Sequence, residues 1–375
     1  MEMNCGKVKA GLQNDVLSPA TCLVAYQLSS THLRFLAMKM LITGGAGFIG
    51  TNAALYFHNL GYKVVIVDNL SRRGVEYNVH YLKRHIPQCI IIPCDVQQVS
   101  QYEKELHQSD VILHLAGQTA VTTSLKDPLH DFDNNLFAGV MLLEAIRMEN
   151  PDAIVLYAST NKVYGNLRQH RYHKNEKSFQ YCDETCPLGV DESEKLSFVS
   201  PYGCSKGALD QYMLDYASTF NLRTVVFRQS CIYGPFQQGA EDQGWVAHFT
   251  KKTLENKTIN VFGDGYQVRD LLYVDDLLEA YRSAVENISL VQGMAFNIGG
   301  GISNVFSVIN VLDVLEKELS VKIDIQYKPE RMGDQLSFVS ANTSIKKNLG
   351  WQPTTPFSQG IQQLLSWQRQ FLLYN

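Results

Sequence analysis

Seven short apolar runs, each followed by a stretch of helical character, constrain this chain more than any other feature of its sequence. From Met38 onward they read "KMLIT", "YKVVIVD", "CIIIP", "DVILHLAG", "AIVLYAS", "TVVFRQS" and "MAFNIGG". Their apolar residues run on without the alternation of a half-exposed strand, which is the pattern of a parallel sheet covered on both faces. Helical stretches such as "NLFAGVMLLEAIR" and "SKGALDQYMLDYAS" lie between them. Strand and helix in this order predict an α/β fold, a doubly wound parallel sheet with right-handed crossovers.

Two regions break the alternation. Residues 166–199 are polar and lack helix or strand period, which predicts a long surface loop. The loop is either a lid or a solvated excursion carrying "HRYHKNEK". The C-terminal third is more mixed and predicts a smaller lobe over the strand ends. Residues 1–37 lack the basic start, compact apolar stretch and cleavage site of a secretory signal. They read as an extension, or an upstream start, ahead of a first strand that opens at "MKMLITGG". The expected division is an extension over 1–37, a cofactor domain over 38–233 and 270–305, and a substrate lobe over 234–269 and 306–375.

Composition narrows the class. With 375 residues, 45% hydrophobic and 19% charged, the chain can bury a large core shared by two lobes. A net charge of -4 supplies no attraction to nucleic acid or an anionic membrane. No apolar run approaches the ~20 residues that a membrane helix needs. Eight cysteines are scattered, and Cys182 with Cys186 has no second pair to complete a zinc set. No metal is expected, and the dispersed thiols point to a reducing, cytoplasmic setting.

Chemistry enters at "LITGGAGFIG", where Gly44, Gly47 and Gly50 follow a strand and open a helix. The first glycine permits the tight turn, the second admits a pyrophosphate, and the third lets helix and strand pack closely. The helix N-terminus then faces the phosphates. One βα unit later, "VVIVD" ends in Asp68, an acid that can bond both adenosine ribose hydroxyls and would repel a 2′-phosphate. Arg72 and Arg73 could argue for the phosphorylated cofactor, but the acid outweighs them and NAD is expected over NADP.

"SPYGCSKG" places Tyr202 and Lys206 four residues apart on a helix, and so on one face. Of nineteen tyrosines only this one has a lysine at that spacing. A nearby ammonium favours the phenolate, so Lys206 is expected to lower the phenol toward working pH. The strand "AIVLY" ends in "STNKVYG", with Thr160, Asn161 and Lys162 at the carboxyl edge, where open α/β sheets bind ligands.

Glycine loop, threonine and Tyr-Lys pair together resemble the extended short-chain dehydrogenase/reductase family, of Rossmann fold, from Met38 to the C-terminus. The resemblance implies that Thr160, Tyr202 and Lys206 form the catalytic group. It implies a cofactor set of Gly44, Gly47, Phe48, Ile49 and Gly50 on the loop, and Asp68, Asn69, Ser71 and Arg72 after the second strand. Asp95 and Val96 would flank the adenine. Leu115, Ala116, Gln118 and Asn135, with Tyr202 and Lys206, would complete it. Gln118, Thr160 and Asn161 would meet the sugar. Arg269 in "GYQVRD" and Arg331 in "PERMGDQ", each otherwise a surface ion-pair residue, would hold a nucleotide pyrophosphate.

Members that dehydrate sugars carry an acid-acid pair directly after the threonine, whereas this chain has Asn161 and Lys162. Oxidation followed by reduction needs neither acid, so the likeness implies an epimerase or a simple dehydrogenase. "DNLSRRG", "HLAGQTAVTTS", "STNKVYGNL" and "EDQGWVAHF" are similar to the branch that inverts C2 of a CDP-linked deoxyhexose. The chain departs from it at Ala158, where serine is usual, and in the proline of "YGPFQQ". The alternatives are a 4-epimerase of UDP-sugars and a cofactor-sensing protein without turnover. A homo-oligomer, dimer or tetramer, is expected.

A chain beginning at Met38 is expected to keep the activity and melting temperature of the full chain. A turnover assay beside a thermal melt checks this.

Overall fold

The computed structural model describes residues 38–167, 170, 172–174, 179–181, 188–331 and 334–374. The predicted extension over 1–37 and the Cys182–Cys186 pair lie outside them.

All seven apolar runs form strands of one sheet: β1 (Lys39–Thr43), β2 (Lys63–Val67), β3 (Ile90–Ile92), β4 (Val111–His114), β5 (Ile154–Thr160), β6 (Arg223–Gln229) and β7 (Met294–Ile298). Their order is β7-β6-β5-β4-β1-β2-β3, with every neighbouring pair parallel. Side chains alternate between two buried layers, which is why the runs show no polar alternation. Met40 and Ile42 enter one core with α1 (Phe48–Asn59) and α2 (Val75–His85). Leu41 enters the other with α3 (Ala138–Glu149) and α4 (Ser200–Phe220). The strand order reverses between β1 and β4, and the crevice at such a reversal is where doubly wound sheets bind ligands.

The smaller mixed part consists of short pairings. Ile259–Phe262 runs parallel to Ile325–Lys328. Val268–Tyr273 pairs with Cys231–Tyr233, Val305–Ser307 and Ser337–Phe338. The C-terminal helix, Phe357–Tyr374, returns to the sheet, and Phe371 meets Tyr77 edge-on at 4.8 Å. One core therefore runs without a break from β1 to Trp367 and Phe371.

The expected surface loop over 166–199 needs correction. Tyr172–Lys174 and Phe179–Tyr181 form an antiparallel pair. The return leg is pinned rather than solvated: Val190 is fully buried, its N–H donates to the Val339 carbonyl at 2.8 Å, and its own carbonyl accepts from Ala341 at 2.9 Å. Glu192 accepts the Asn297 N–H at 2.6 Å, and Ser197 donates to Val163 at 2.9 Å. Composition hid this because three of these four bonds join backbone groups, which every residue carries.

One buried ion pair sets the helix that matters most. Asp210 of α4 accepts two bonds from Arg228 of β6, both at 2.9 Å, and one from Ser159 of β5 at 2.8 Å. Neither charge is appreciably exposed. Removing one partner strands the other in a dry interior, so Arg228→Met is expected to cost about 3–5 kcal/mol. Adding Asp210→Leu should recover most of that loss, as urea unfolding of the single and double variants would show.

Candidate active site

The glycine loop leaves β1 and turns into α1. Gly44 has φ 68°, and a Cβ there would stand 2.7 Å from the backbone nitrogen of Ala116, so only glycine fits. A Cβ on Gly50 would stand 2.5 Å from the Gly44 carbonyl oxygen, which ties the helix closely to the loop. Gly47 caps α1 in an extended conformation with no side-chain cap, leaving the first N–H groups of the helix for an anion. Gly45, not singled out from sequence, packs on Ile66, 2.7 Å from where its Cβ would be.

Asp68 follows β2 directly. Its carboxylate accepts the Ala46 N–H at 3.0 Å and the Leu70 N–H at 2.8 Å, locking it beside the loop. Burial raises its carboxyl, and those two bonds oppose the shift. Asn69 donates to Asp95 at 3.0 Å and accepts from the Ser71 N–H at 3.2 Å. Arg72 reaches across the crevice to Thr119 at 2.7 Å and Gln243 at 3.2 Å. The Leu115 N–H donates to the Thr43 carbonyl at 3.1 Å, and the Ala116 N–H to the Thr43 hydroxyl at 3.3 Å. The tight glycine turn, the open helix end and the anchored acid are the parts a dinucleotide site needs.

Thr160 is the last residue of β5, and Tyr202 and Lys206 lie one turn apart on α4. All three are buried. Burial pushes the Tyr202 phenol up to about 12, while hydrogen bonding to the Thr160 side chain pulls the other way. Burial also brings the Lys206 ammonium down to about 8, against the pull of Asp131 and Asp210. The expectation that Lys206 lowers the phenol is thus corrected: in the protein alone loss of water dominates, and the cation that opposes it is Arg72. The Lys206 ammonium sits 4.7 Å over the Tyr157 ring.

Sequence reading missed the hub below these groups. Asp131, almost fully buried, accepts from Ser205 at 2.5 Å, Gln118 at 2.9 Å and Asn135 at 3.1 Å. Asn135 belongs to a π-helical turn, Asp133–Phe137, of the kind that marks functional sites. Nothing in "DPLHDFDNN" distinguishes this acid from its neighbours.

In front of Thr160 and Tyr202 opens a cleft of about 310 Å³, which Asn161, Lys162, Arg269, Arg331 and Asp334 also line. Arg269 donates to the Val268 and Gln335 carbonyls at 2.7 and 2.9 Å and pairs with Asp334 at 2.7 Å. Arg331 lies 3.7 Å over the Phe262 ring and donates to the Glu241 carbonyl at 2.8 Å. Gln118 is not among the lining residues; its amide nitrogen donates to Ala120 and Asp131. Asp334 was not expected to face a ligand, since its approach to Lys162 depends on the C-terminal part folding back.

The geometry matches known proteins. The model of the "NAD dependent epimerase/dehydratase family" fits residues 40–299. The CDP-paratose 2-epimerase of Salmonella typhi is 41% identical over 337 residues, spanning 88% of this chain and 99% of its own. The crystal structure of UDP-glucose 4-epimerase with UDP-glucose from Thermotoga maritima superimposes with a TM-score of 0.76 at 29% identity, covering 89% and 100% of the two chains. UDP-glucuronic acid 4-epimerase from Bacillus cereus, in complex with UDP-glucuronic acid and NAD, gives 0.76 at 27% over 89% and 100%. The chain belongs to the NAD dependent epimerase/dehydratase family, and NAD is its cofactor.

Proposed function

We propose that the protein is an isomerase that inverts C2 of a CDP-linked deoxyhexose, interconverting CDP-paratose and CDP-tyvelose. The end of β5 carries the reading. Thr160 is followed by an amide and an amine, and the carboxylates lining the cleft are already engaged. Glu241 accepts from Asn260 at 2.6 Å, Asp242 from Thr122 at 2.7 Å, and Asp334 from Arg269 at 2.7 Å. Elimination and enolisation need a base placed at carbon, and no carboxylate directly follows Thr160 at the strand end. The 41% likeness to a CDP-paratose 2-epimerase supports both the C2 position and the cytidine.

NAD, when bound, supplies the chemistry at carbon, accepting hydride from the sugar and giving it back. Tyr202 takes the proton of the C2 hydroxyl as the ketone forms and returns it after the sugar turns its other face. Thr160 hydrogen-bonds the same oxygen. A phenol at about 12 does not ionise in advance, so the phenolate is stabilised as it forms, by Thr160 and the Lys206 ammonium. Lys206 also holds the nicotinamide ribose, Asp68 the adenosine ribose, and the N-terminus of α1 the cofactor pyrophosphate. Asp95 and Val96 flank the adenine. Arg269 and Arg331 take the diphosphate of the substrate. The substrate lobe is the part built around those arginines.

The second reading, C4 inversion of a UDP-sugar, is favoured by the solved neighbours, which include 4-epimerases with UDP-sugars bound.

Tyr202→Phe is expected to lower turnover by ~10²–10⁴-fold, with the fold and the co-purifying NAD retained. Lys206→Met should lose bound NAD as well. Steady-state assays and chromatography of the denatured supernatants separate the two effects.

A substrate deuterated at C2 tests the reaction itself. The product is expected to keep its deuterium with C2 inverted, as NMR would record. Washout into solvent would reject hydride return, and an untouched C2 with inverted C4 would select the second reading.

A further inference from the structure

Lys162 is the second residue after β5, and its side chain is largely buried while lining the cleft. Its nearest ion partner is Asp334 at 3.8 Å, beyond hydrogen-bonding range. Among the described residues, the three donors of this ammonium meet no closer acceptor. Asp334 is itself occupied, by Arg269 at 2.7 Å and the Gln335 N–H at 3.0 Å. Burial and the neighbouring Arg269 bring the ammonium down to about 8, with Asp334 pulling it back up. A lysine acting only as a strut would close on its carboxylate, as Arg269 does. This one stops short and faces the cavity.

Its place along the cleft is informative. One residue, Asn161, separates it from Thr160, and Asp334 stands between it and Arg269. It therefore stands between the proton-transfer groups and the diphosphate arginines. In a nucleoside diphosphate sugar, C2 is bonded to the anomeric carbon that carries the diphosphate, whereas C4 lies across the ring. A phosphate oxygen held beside Thr160, in the cleft that both residues line, would bring C2 rather than C4 to the reacting position.

Resting on the C2 reading, we propose that Lys162 sets the register of the sugar. Its ammonium binds an oxygen of the sugar-side phosphate and so presents C2, not C4, to Thr160 and Tyr202. The arginines anchor the nucleotide, and Lys162 fixes the pivot about which the sugar turns. Lys162 is thus a specificity-determining residue that touches substrate without moving a proton.

CDP carries the sugar-side phosphate and CMP lacks it, so calorimetric titration of both nucleotides isolates the contact. Lys162→Gln is expected to weaken CDP binding about 10- to 100-fold, the effect of one charge-assisted bond. CMP binding should be unchanged, and Lys162→Arg should restore most of the CDP affinity. Bound NAD and melting temperature identify folded variants, and Lys162→Met serves for the same comparison should the glutamine variant not fold. Equal losses for both nucleotides, or no loss for either, would overturn the assignment even in an enzyme that inverts C2. Wild-type protein that inverts C4 of a UDP-sugar and leaves C2 of the CDP-sugar alone would instead overturn the functional reading, and the register argument with it.

Discussion

The buried pair of Asp210 and Arg228 holds the proton-transfer groups in place. Tyr202, Lys206 and Asp210 follow one another at four-residue intervals along α4, so they share a stripe that faces the sheet. Arg228 lies opposite Ser159 in the parallel register of β5 and β6, one step before Thr160. Asp210 joins both strands to the helix. The position of Tyr202 over Thr160 is thereby set two turns away, by a contact with no part in the chemistry. Such a pair is costly to desolvate, and its worth here lies in geometry as much as in stability.

Loss of water governs the electrostatics of the site. It raises the Tyr202 phenol and depresses the Lys206 and Lys162 ammonium groups, each away from its charged form. With water kept from these groups, opposite charge brought into the site is felt strongly. Below these groups, Asp131 gathers Ser205, Asn135 and Gln118, tying the π-helical turn to α4. Gln118, expected at the ligand, is spent on that tie.

Much of this was legible in the sequence, for physical reasons that differ by region. Each apolar run became a strand of the central sheet because burial on both faces leaves an unbroken hydrophobic signature. The glycine loop was legible because Gly44 and Gly50 occupy positions no Cβ could share. The return leg over 188–199 was not, since most of its anchors are backbone groups. Asp131 and Asp334 were not, because an acid that folding brings to a hub looks in sequence like any other acid. The phenol shift was misjudged because spacing tells which side chains are neighbours, and not how much water reaches them.

The order of the pairings also bears on how the molecule is made. β7 completes the central sheet at Ile298, so the glycine loop, Asp68 and the Tyr202 helix can all find their partners before the rest of the chain leaves the ribosome. The wall opposite them cannot. Arg269 needs the Gln335 carbonyl and Asp334, Val268–Tyr273 needs Ser337–Phe338, and Val190 waits for Val339. These are long-range closures, the slowest kind for a growing chain to make. A nascent molecule can therefore have its dinucleotide cradle assembled while its sugar-nucleotide wall is still unmade, and bound cofactor can stabilise that half-finished state by mass action.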